Sequence, residues 1–349
     1  MLQISQEVLA DFVTRLFVGA GAPADEAATV ATSLVESNLR GYDSHGVTLA
    51  RWYLSQIKNR ELLPGAPFAV LRETPAFIGA DGGLGFGQVQ CARLVDRLAA
   101  RARGLGVACG TLVRCGHVGR LGEWVERTAI TGLAALIAVN DNGVIRTVAP
   151  PGGTQGRLST NPIAIAVPTG GRPLVLDIST SAVANGKLKI ARLEQKPVPL
   201  GWIQDANGNP TTDPNVMLAD PPGALLPFGG DQNHKGFGLG LLFDILTAGL
   251  AGGFCPPAPS GTQEWNNVLL VIWNPGRGAG AEHFTAEADK LIDAVRGTPR
   301  RAGVDRIQLP GDRSTEIRAV RMKSGIPIAE GVWEQLTHVA AKLGVAVPG

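Results

Sequence analysis

Apolar residues recur three and four positions apart along the first forty residues. Leu9, Phe12, Val13 and Leu16 make one such stripe, which predicts an amphipathic helix over 3–20. Val30 and Leu34, with the alanines around them, make a second stripe over 22–39. Pro23, followed by Asp25 and Glu26, is suited to start that helix. Residues 47–58 predict a third helix.

The texture changes near residue 68. AVLRETPAFIGADGG predicts two short strands divided by Pro75. Residues 88–103 predict a helix with Val89, Leu94, Val95 and Leu98 facing inward. GVACGTLVRC (106–115) and GLAALIAVN (132–140) are short apolar runs bounded by glycine or polar residues, the pattern of buried strands, with a helix over 119–130 between them. Further strands are expected at 162–167, 174–178 and 268–273. Further helices are expected at 181–193, 236–250, 284–296 and 327–343. Residues 194–233, rich in Pro, Gly, Asn and Asp, are expected to form a long ordered loop region. The mixture is α/β.

Composition narrows the class. The 349 residues suit about two domains. They are 44% hydrophobic and 18% charged, with a net charge of +2, so no nucleic acid or anionic membrane is expected as a partner. No uncharged apolar stretch of about 18 residues predicts a membrane span. The start carries Glu7, Asp11 and Arg15 among its apolar residues, unlike a signal peptide. The four cysteines form no CxxC pair, and a cytoplasmic location is expected.

Five histidines focus the search for chemistry. RGYDSHGV (40–47) brings Asp43, Ser44 and His45 together. Ser44 and His45 are sequence neighbours, and no GxSxG elbow is present, so they do not read simply as nucleophile and base. RCGHVGR places His117 two residues after Cys115. A zinc site needs three or four ligands, so no metal is expected. His117 follows the end of a predicted strand, where α/β sites collect, and is equally readable as a structural histidine. His283 and His338 read as surface residues. HKGFGLGLLFDIL (234–246) sets Lys235 at a glycine-rich helix start, which suits either an anion or close helix packing. GLGFGQ and GFGLG have the wrong spacing for GxGxxG, so a nicotinamide cofactor would have to bind without the ordinary Rossmann turn.

In order along the chain, seven segments resemble the malate/L-lactate dehydrogenase family of the second type. They are RGYDSHGV, GHVGRLGEW (116–124), STNPIAIAVP (159–168), LDISTSAVANGK (176–187), GNPTTDP (208–214), LLPFGG with HKGFGLGLLFDILTAGLAGG (225–253), and LPGD (309–312). This non-Rossmann family also includes ureidoglycolate, sulfolactate and diketogulonate oxidoreductases and cyclic imino-acid reductases. The resemblance implies a helical domain from both termini (1–72 and 284–349) and an NAD(P)-binding α/β domain (73–283) around a mostly antiparallel sheet. It implies a homodimer, NAD or NADP as cofactor, and hydride transfer at C2 of a 2-oxo or 2-hydroxy acid. A cyclic imino acid is the alternative substrate, and a His/Cys metal-dependent hydrolase or lyase the alternative from another class. His45 and His117 are the implied proton donors or acceptors, with Ser44 orienting. Cofactor contacts are implied for Asn140, Asp141, Thr160, Asn161, Asp177, Ile178, Ser179, Thr180, Ser181, Lys187, His234, Gly236, Pro310, Gly311 and Asp312. Lys235 is implied at the substrate end.

One departure stands out. The family usually carries an arginine four residues after the SHG histidine, and here that position is Leu49. On a helix, positions four apart share a face, so Leu49 is expected beside the substrate. Arg120, three residues after His117, is the candidate to supply the missing charge.

Overall fold

The computed structural model describes residues 1–349. In chain order the elements are β1 (Leu2–Ile4), α1 (Gln6–Gly19), α2 (Ala24–Leu39), α3 (Ala50–Lys58), β2 (Ala69–Thr74), β3 (Phe77–Asp81), α4 (Gly87–Leu105), β4 (Val107–Cys115) and α5 (Leu121–Ala129). Next come β5 (Ala134–Asn140), β6 (Ile163–Val167), β7 (Leu174–Ile178), α6 (Asn185–Leu193), β8 (Ile203–Gln204), β9 (Pro210–Thr211), β10 (Ala224–Leu225) and α7 (His234–Asp244). The chain closes with β11 (Asn266–Trp273), α8 (Ala281–Arg296), α9 (Asp312–Ser324), β12 (Ile326–Ile328) and α10 (Glu330–Leu343).

A seven-stranded sheet runs β2-β3-β4-β11-β5-β6-β7. Only β3 and β4 run parallel; every other adjacent pair is antiparallel. Leu94 and Leu98 of α4, and Trp124 and Val125 of α5, pack onto Leu112, Leu270 and Ile137 of the sheet in one buried cluster. A second cluster joins Leu9, Phe12 and Leu16 of α1, Leu34 of α2 and Tyr53 of α3 to Ile326, Ile328 and Leu336 near the C-terminus. β1 pairs with β12, so the two ends of the chain meet in one antiparallel ladder. A third, small cluster sits where β8, β9 and β10 fold over α6. No helix is long and apolar enough to cross a membrane.

Most predicted elements are found within a few residues of their expected bounds. Four differ for physical reasons. The first helix starts at Gln6, because Ser5 caps it by accepting the amide of Val8 at 3.3 Å, and Leu2–Ile4 form β1 instead. The helix expected over 47–58 opens as 3-10 turns at Asp43–His45 and Val47–Leu49, separated by Gly46 in an extended conformation, and becomes α3 only at Ala50. The stretch expected as helix from 181 turns helical at Asn185. α9 has no counterpart in the hydrophobic pattern: its buried residues are Asp312 and Ser314, so it carries no apolar stripe to read.

The two large clusters are bound through polar groups on α2 and α5. Ser33 donates to Glu123 at 2.6 Å, and Arg40 bridges Glu36 at 2.7 Å and Glu126 at 3.1 Å. The loop carrying His45 leaves α2 at this seam.

Candidate active site

A cavity of about 690 Å³ opens at the seam between the clusters. The loop after α2 brings Ser44 and His45 to one wall, and the loop after β4 brings His117 and Arg120 to another. The end of β5 supplies Asn140 and Asp141. The approach to β6 supplies Thr160 and Asn161. β7 and its connection to α6 supply Asp177, Ile178, Ser179 and Ser181, and Lys187 follows on α6.

The two imidazoles lie nearly parallel, with centroids 5.7 Å apart and planes inclined by 28°. His117 is fixed from behind. Tyr53 Oη lies 2.7 Å from His117 Nδ1 and accepts a hydrogen bond from Gln88 Nε2 at 3.0 Å, leaving its own proton to point at the imidazole. Burial raises the Tyr53 phenol well above its ordinary value, so it keeps that proton. The Gly119 amide also donates to Nδ1, at 3.3 Å. With Nδ1 an acceptor twice over, this network assigns the neutral ring's proton to Nε2. Burial, with a smaller push from His45, lowers His117 to about 3. Burial also lowers His45, opposed by the carboxylate of Asp177 and reinforced by Arg120. Its Nδ1 lies 3.0 Å from Ser44 Oγ.

Two glycines make this geometry possible. A Cβ on Gly46 would lie 2.1 Å from Asn38 Oδ1, the atom that accepts the Val47 amide at 2.8 Å. A Cβ on Gly87 would lie 2.1 Å from the Gly116 carbonyl oxygen and 2.4 Å from that of His117. Only a bare α-carbon lets α4 pass this close to the loop that carries His117.

Arg120 is buried in the cavity wall. Its guanidinium lies 3.9 Å from Asp177 and 3.4 Å from Glu126, and its Cζ is 5.4 Å from the Tyr42 ring centroid. The Arg120 Nε has no hydrogen-bond partner. Asp177 is raised by burial and lowered by Arg120, and it accepts the Gly122 amide at 2.8 Å. Below the cavity, Asp244 of α7 receives Asn140 Nδ2 at 2.8 Å and Asn161 Nδ2 at 2.7 Å. Burial raises Asp141 to about 7, and Glu264 and Asp244 add to that shift while Ser159 opposes it.

Several expected contacts lie elsewhere. Leu49 does not line the cavity; it packs against the terminal helical cluster. The helix-face argument fails because extended Gly46 separates His45 and Leu49 into different turns. Thr180 stands behind the wall, donating to the Thr160 carbonyl at 3.0 Å. His234 and Lys235 are exposed on the first turn of α7, and Gly236 is buried against Phe228; none of the three reaches the cavity. Pro310, Gly311 and Asp312 are also outside it, at the start of α9. Sequence reasoning missed Tyr42, Trp52, Phe228, Glu264 and Asn266 in the lining, and Tyr53 and Gln88 behind it. Tyr42 sits inside RGYDSHGV and could have been read from it; the others carry no local signal. Cys115 is buried, its thiol pushed up to about 12, and it donates to the Asn266 carbonyl, so it offers neither thiolate nor ligand. No three His, Cys, Asp or Glu side chains are grouped closely enough to hold a metal ion.

Comparison with known proteins places this arrangement. The description of the malate/L-lactate dehydrogenase family matches residues 4–337. An L-lactate dehydrogenase from Cupriavidus necator is 37% identical over 330 residues, 93% of each chain. A Δ1-pyrroline-2-carboxylate/Δ1-piperideine-2-carboxylate reductase from Pseudomonas syringae is 34% identical over 345 residues, 97% of this chain and 96% of its own. The solved structure of sulfolactate dehydrogenase from Methanocaldococcus jannaschii superposes with a TM-score of 0.90 at 27% identity, covering 99% of this chain and 98% of the other. The chain belongs to the malate/L-lactate dehydrogenase family and is an oxidoreductase.

The lowered pKa of His117 has a measurable consequence. A neutral form favoured by folding stabilises the protein above the unfolded-state value of about 6.5, and that contribution is lost as pH falls towards the folded-state value of about 3. Nitrogen-15 spectra should therefore show His117 as the neutral Nε2–H tautomer down to about pH 4, and Tyr53→Phe should perturb that signature. An imidazolium spectrum for His117 at pH 6 would overturn the assignment.

Proposed function

We propose that the cavity carries hydride transfer between a nicotinamide dinucleotide, NAD or NADP, and C2 of a 2-oxo or 2-hydroxy acid. The observation that carries this reading is the parallel imidazole pair, one ring locked in a single tautomer, facing a polar cavity large enough for two ligands to meet. The lining fits a dinucleotide: hydroxyl and amide groups of Asn140, Thr160, Ser179 and Ser181 alternate with the apolar surfaces of Ile178, Val183 and Phe228. The polar cradle is the β7–α6 connection, so the binding mode proposed is non-Rossmann. When bound, the cofactor supplies or accepts the hydride.

The protein's part is to manage charge at the C2 oxygen. As hydride arrives at carbon, negative charge grows on that oxygen, and protonated His45 gives it a proton; in the reverse direction neutral His45 takes it back. His45 has the stronger claim to this role because the Asp177 carboxylate favours its charged form, whereas His117 is disfavoured by burial and by His45 itself. His117 serves as a neutral Nε2–H donor to the same oxygen, and Ser44 orients His45. Arg120 is the cation for the substrate carboxylate. A cyclic imino acid is the second reading: Trp52 stands edge-on to His117 at 5.8 Å and gives a ring an apolar wall.

The assembly belongs to the same proposal. The two clusters support a helical domain from 1–72 and 284–349, with Phe86, which precedes α4, and Val89 of α4 added to its core, and a sheet domain from 73–283. We place the enzyme in the cytoplasm, in keeping with four free cysteines. Leu242, Ile245 and Leu250 on α7 and its continuation are 60%, 50% and 53% exposed, with Leu246 and Phe254 beside them. An apolar face of this kind on a soluble enzyme suits a homodimer contact.

Three measurements test this reading. The first is the pH profile. Oxidation needs neutral His45, so its kcat/KM should have an acid limb, placed below the ordinary imidazole range because burial lowers His45, and then a plateau. Reduction needs the imidazolium, so its kcat/KM should fall as pH rises through that same limb. His45→Ala should abolish this limb while His117→Ala keeps it; a limb that survives in His45→Ala would sink the assignment. The second is Arg120→Ala. Loss of a charge-assisted bond of about 1.5–3 kcal/mol should raise the substrate KM about 10- to 100-fold and leave cofactor affinity unchanged. A rise in cofactor Kd instead would assign Arg120 to the dinucleotide's diphosphate. The third is mass in solution. Sedimentation should give twice the chain mass, and Leu242→Glu with Ile245→Glu should give monomer; a monomeric wild type refutes the dimer.

A further inference from the structure

The reaction cavity has two side branches, and their chemistry differs. On one side it shares Tyr42 and Arg120 with a neighbouring hollow. On the other it shares Trp52, His117, Glu264 and Asn266 with a much smaller hollow of about 20 Å³, room for about one water. The two hollows have no lining residue in common, so they leave the cavity in different directions.

The branch at Trp52 is acidic. Glu61 and Glu264 line its small hollow, with no lysine or arginine. Glu264 stands exposed in the segment that leads into β11 and makes no ion pair or hydrogen bond; partial burial alone raises its carboxyl. Its charge reaches Asp141, which it helps to raise and whose Oδ1 has no hydrogen-bond partner. The second cation of the cavity, Lys187, belongs to the wall that carries His45: a Cβ on Gly186 beside it would lie 3.0 Å from that of Ser44. With the C2 oxygen at the imidazoles and the substrate carboxylate at Arg120, the carbons beyond C2 are left the branch past Trp52, whose ring stands edge-on to His117.

We propose that Glu264 is a specificity-determining residue that closes this branch to anions, so that the enzyme takes 2-oxo and 2-hydroxy acids with a single carboxylate and rejects those with a second anionic group at C3 or C4. The inference rests on the reading of function given above and names its substrate class. A second carboxylate in this branch would face Glu264 and Asp141 with no guanidinium or ammonium to receive it, and like charges set together in a cavity repel strongly. An apolar chain of the same shape meets the Trp52 ring and leaves Glu264 facing solvent. Selection of this kind comes from repelling the wrong ligand as much as from holding the right one.

Two acids with the same heavy-atom shape test this: oxaloacetate, and 4-methyl-2-oxopentanoate, in which an isopropyl group replaces the second carboxylate. Each is titrated calorimetrically into the full-length protein saturated with oxidised NAD or NADP, so that no hydride is available and binding is read without turnover. 4-Methyl-2-oxopentanoate should bind at least about tenfold more tightly. Glu264→Gln should narrow that ratio, and Glu264→Lys should bring it to about one or invert it. Glu264 is exposed and unpaired, so the melting temperature should hold in both variants. The kcat/KM values for reduction by NADH or NADPH should follow the same order. Equal wild-type affinities, tighter binding of oxaloacetate, or a ratio unchanged in both variants overturns the role of Glu264 alone. Failure of both dinucleotides, or of both acids, to bind overturns the reading of function with it.

Discussion

Asp43 is the point on which the site depends. Its carboxylate accepts Asn38 Nδ2 at 2.7 Å and both arms of Arg321, at 2.6 and 3.1 Å. A bidentate guanidinium–carboxylate pair fixes orientation as well as distance. Asn38 closes the arrangement by accepting the Val47 amide on the far side of His45. A glycine-containing stretch between two helices would otherwise sample many backbone states. Held from both sides, it presents His45 to the cavity as a pair of short 3-10 turns.

The electrostatics of the cavity follow from where these turns sit. Both imidazoles are at a seam between two apolar clusters, where their charged forms lose solvation, so both are lowered. The same burial raises Asp141, Asp177 and Asp244. The resting site therefore minimises separated charge, and its buried cation, Arg120, is flanked by Asp177 and Glu126. In such a wall each charge is balanced by internal pairs, so the state of one group depends on neighbours it does not touch.

Much of this was legible in the sequence, and the illegible parts share a cause. The sheet and the helices with an apolar stripe, such as α1, α2 and α4, follow directly from periodicity. The cavity-lining segments 40–47, 116–124, 159–168 and 176–187 follow from their motifs. What failed was inference across a backbone break: Leu49 was placed by helical spacing, and Gly46 interrupts the helix. α9 was missed because its work is ionic, through Asp312, Arg318 and Arg321, and its hydrophobic pattern is blank. Tyr53 and Gln88 were missed because a supporting hydrogen bond spans 64 residues in one case and 35 in the other.

The clamp on Asp43 also sets an order of events during synthesis. Arg321 lies 278 residues after the carboxylate it holds, and β12, which seals β1 into its ladder, follows Arg321. A chain emerging from the ribosome can close its sheet and cover it with α4 and α5 while the His45 loop still lacks its second hold. Only α9 brings that hold, and contacts of such long sequence separation form late. The His45 loop is thus held by a helix that enters the chain long after the sheet, and α9 reaches the cavity through that clamp alone.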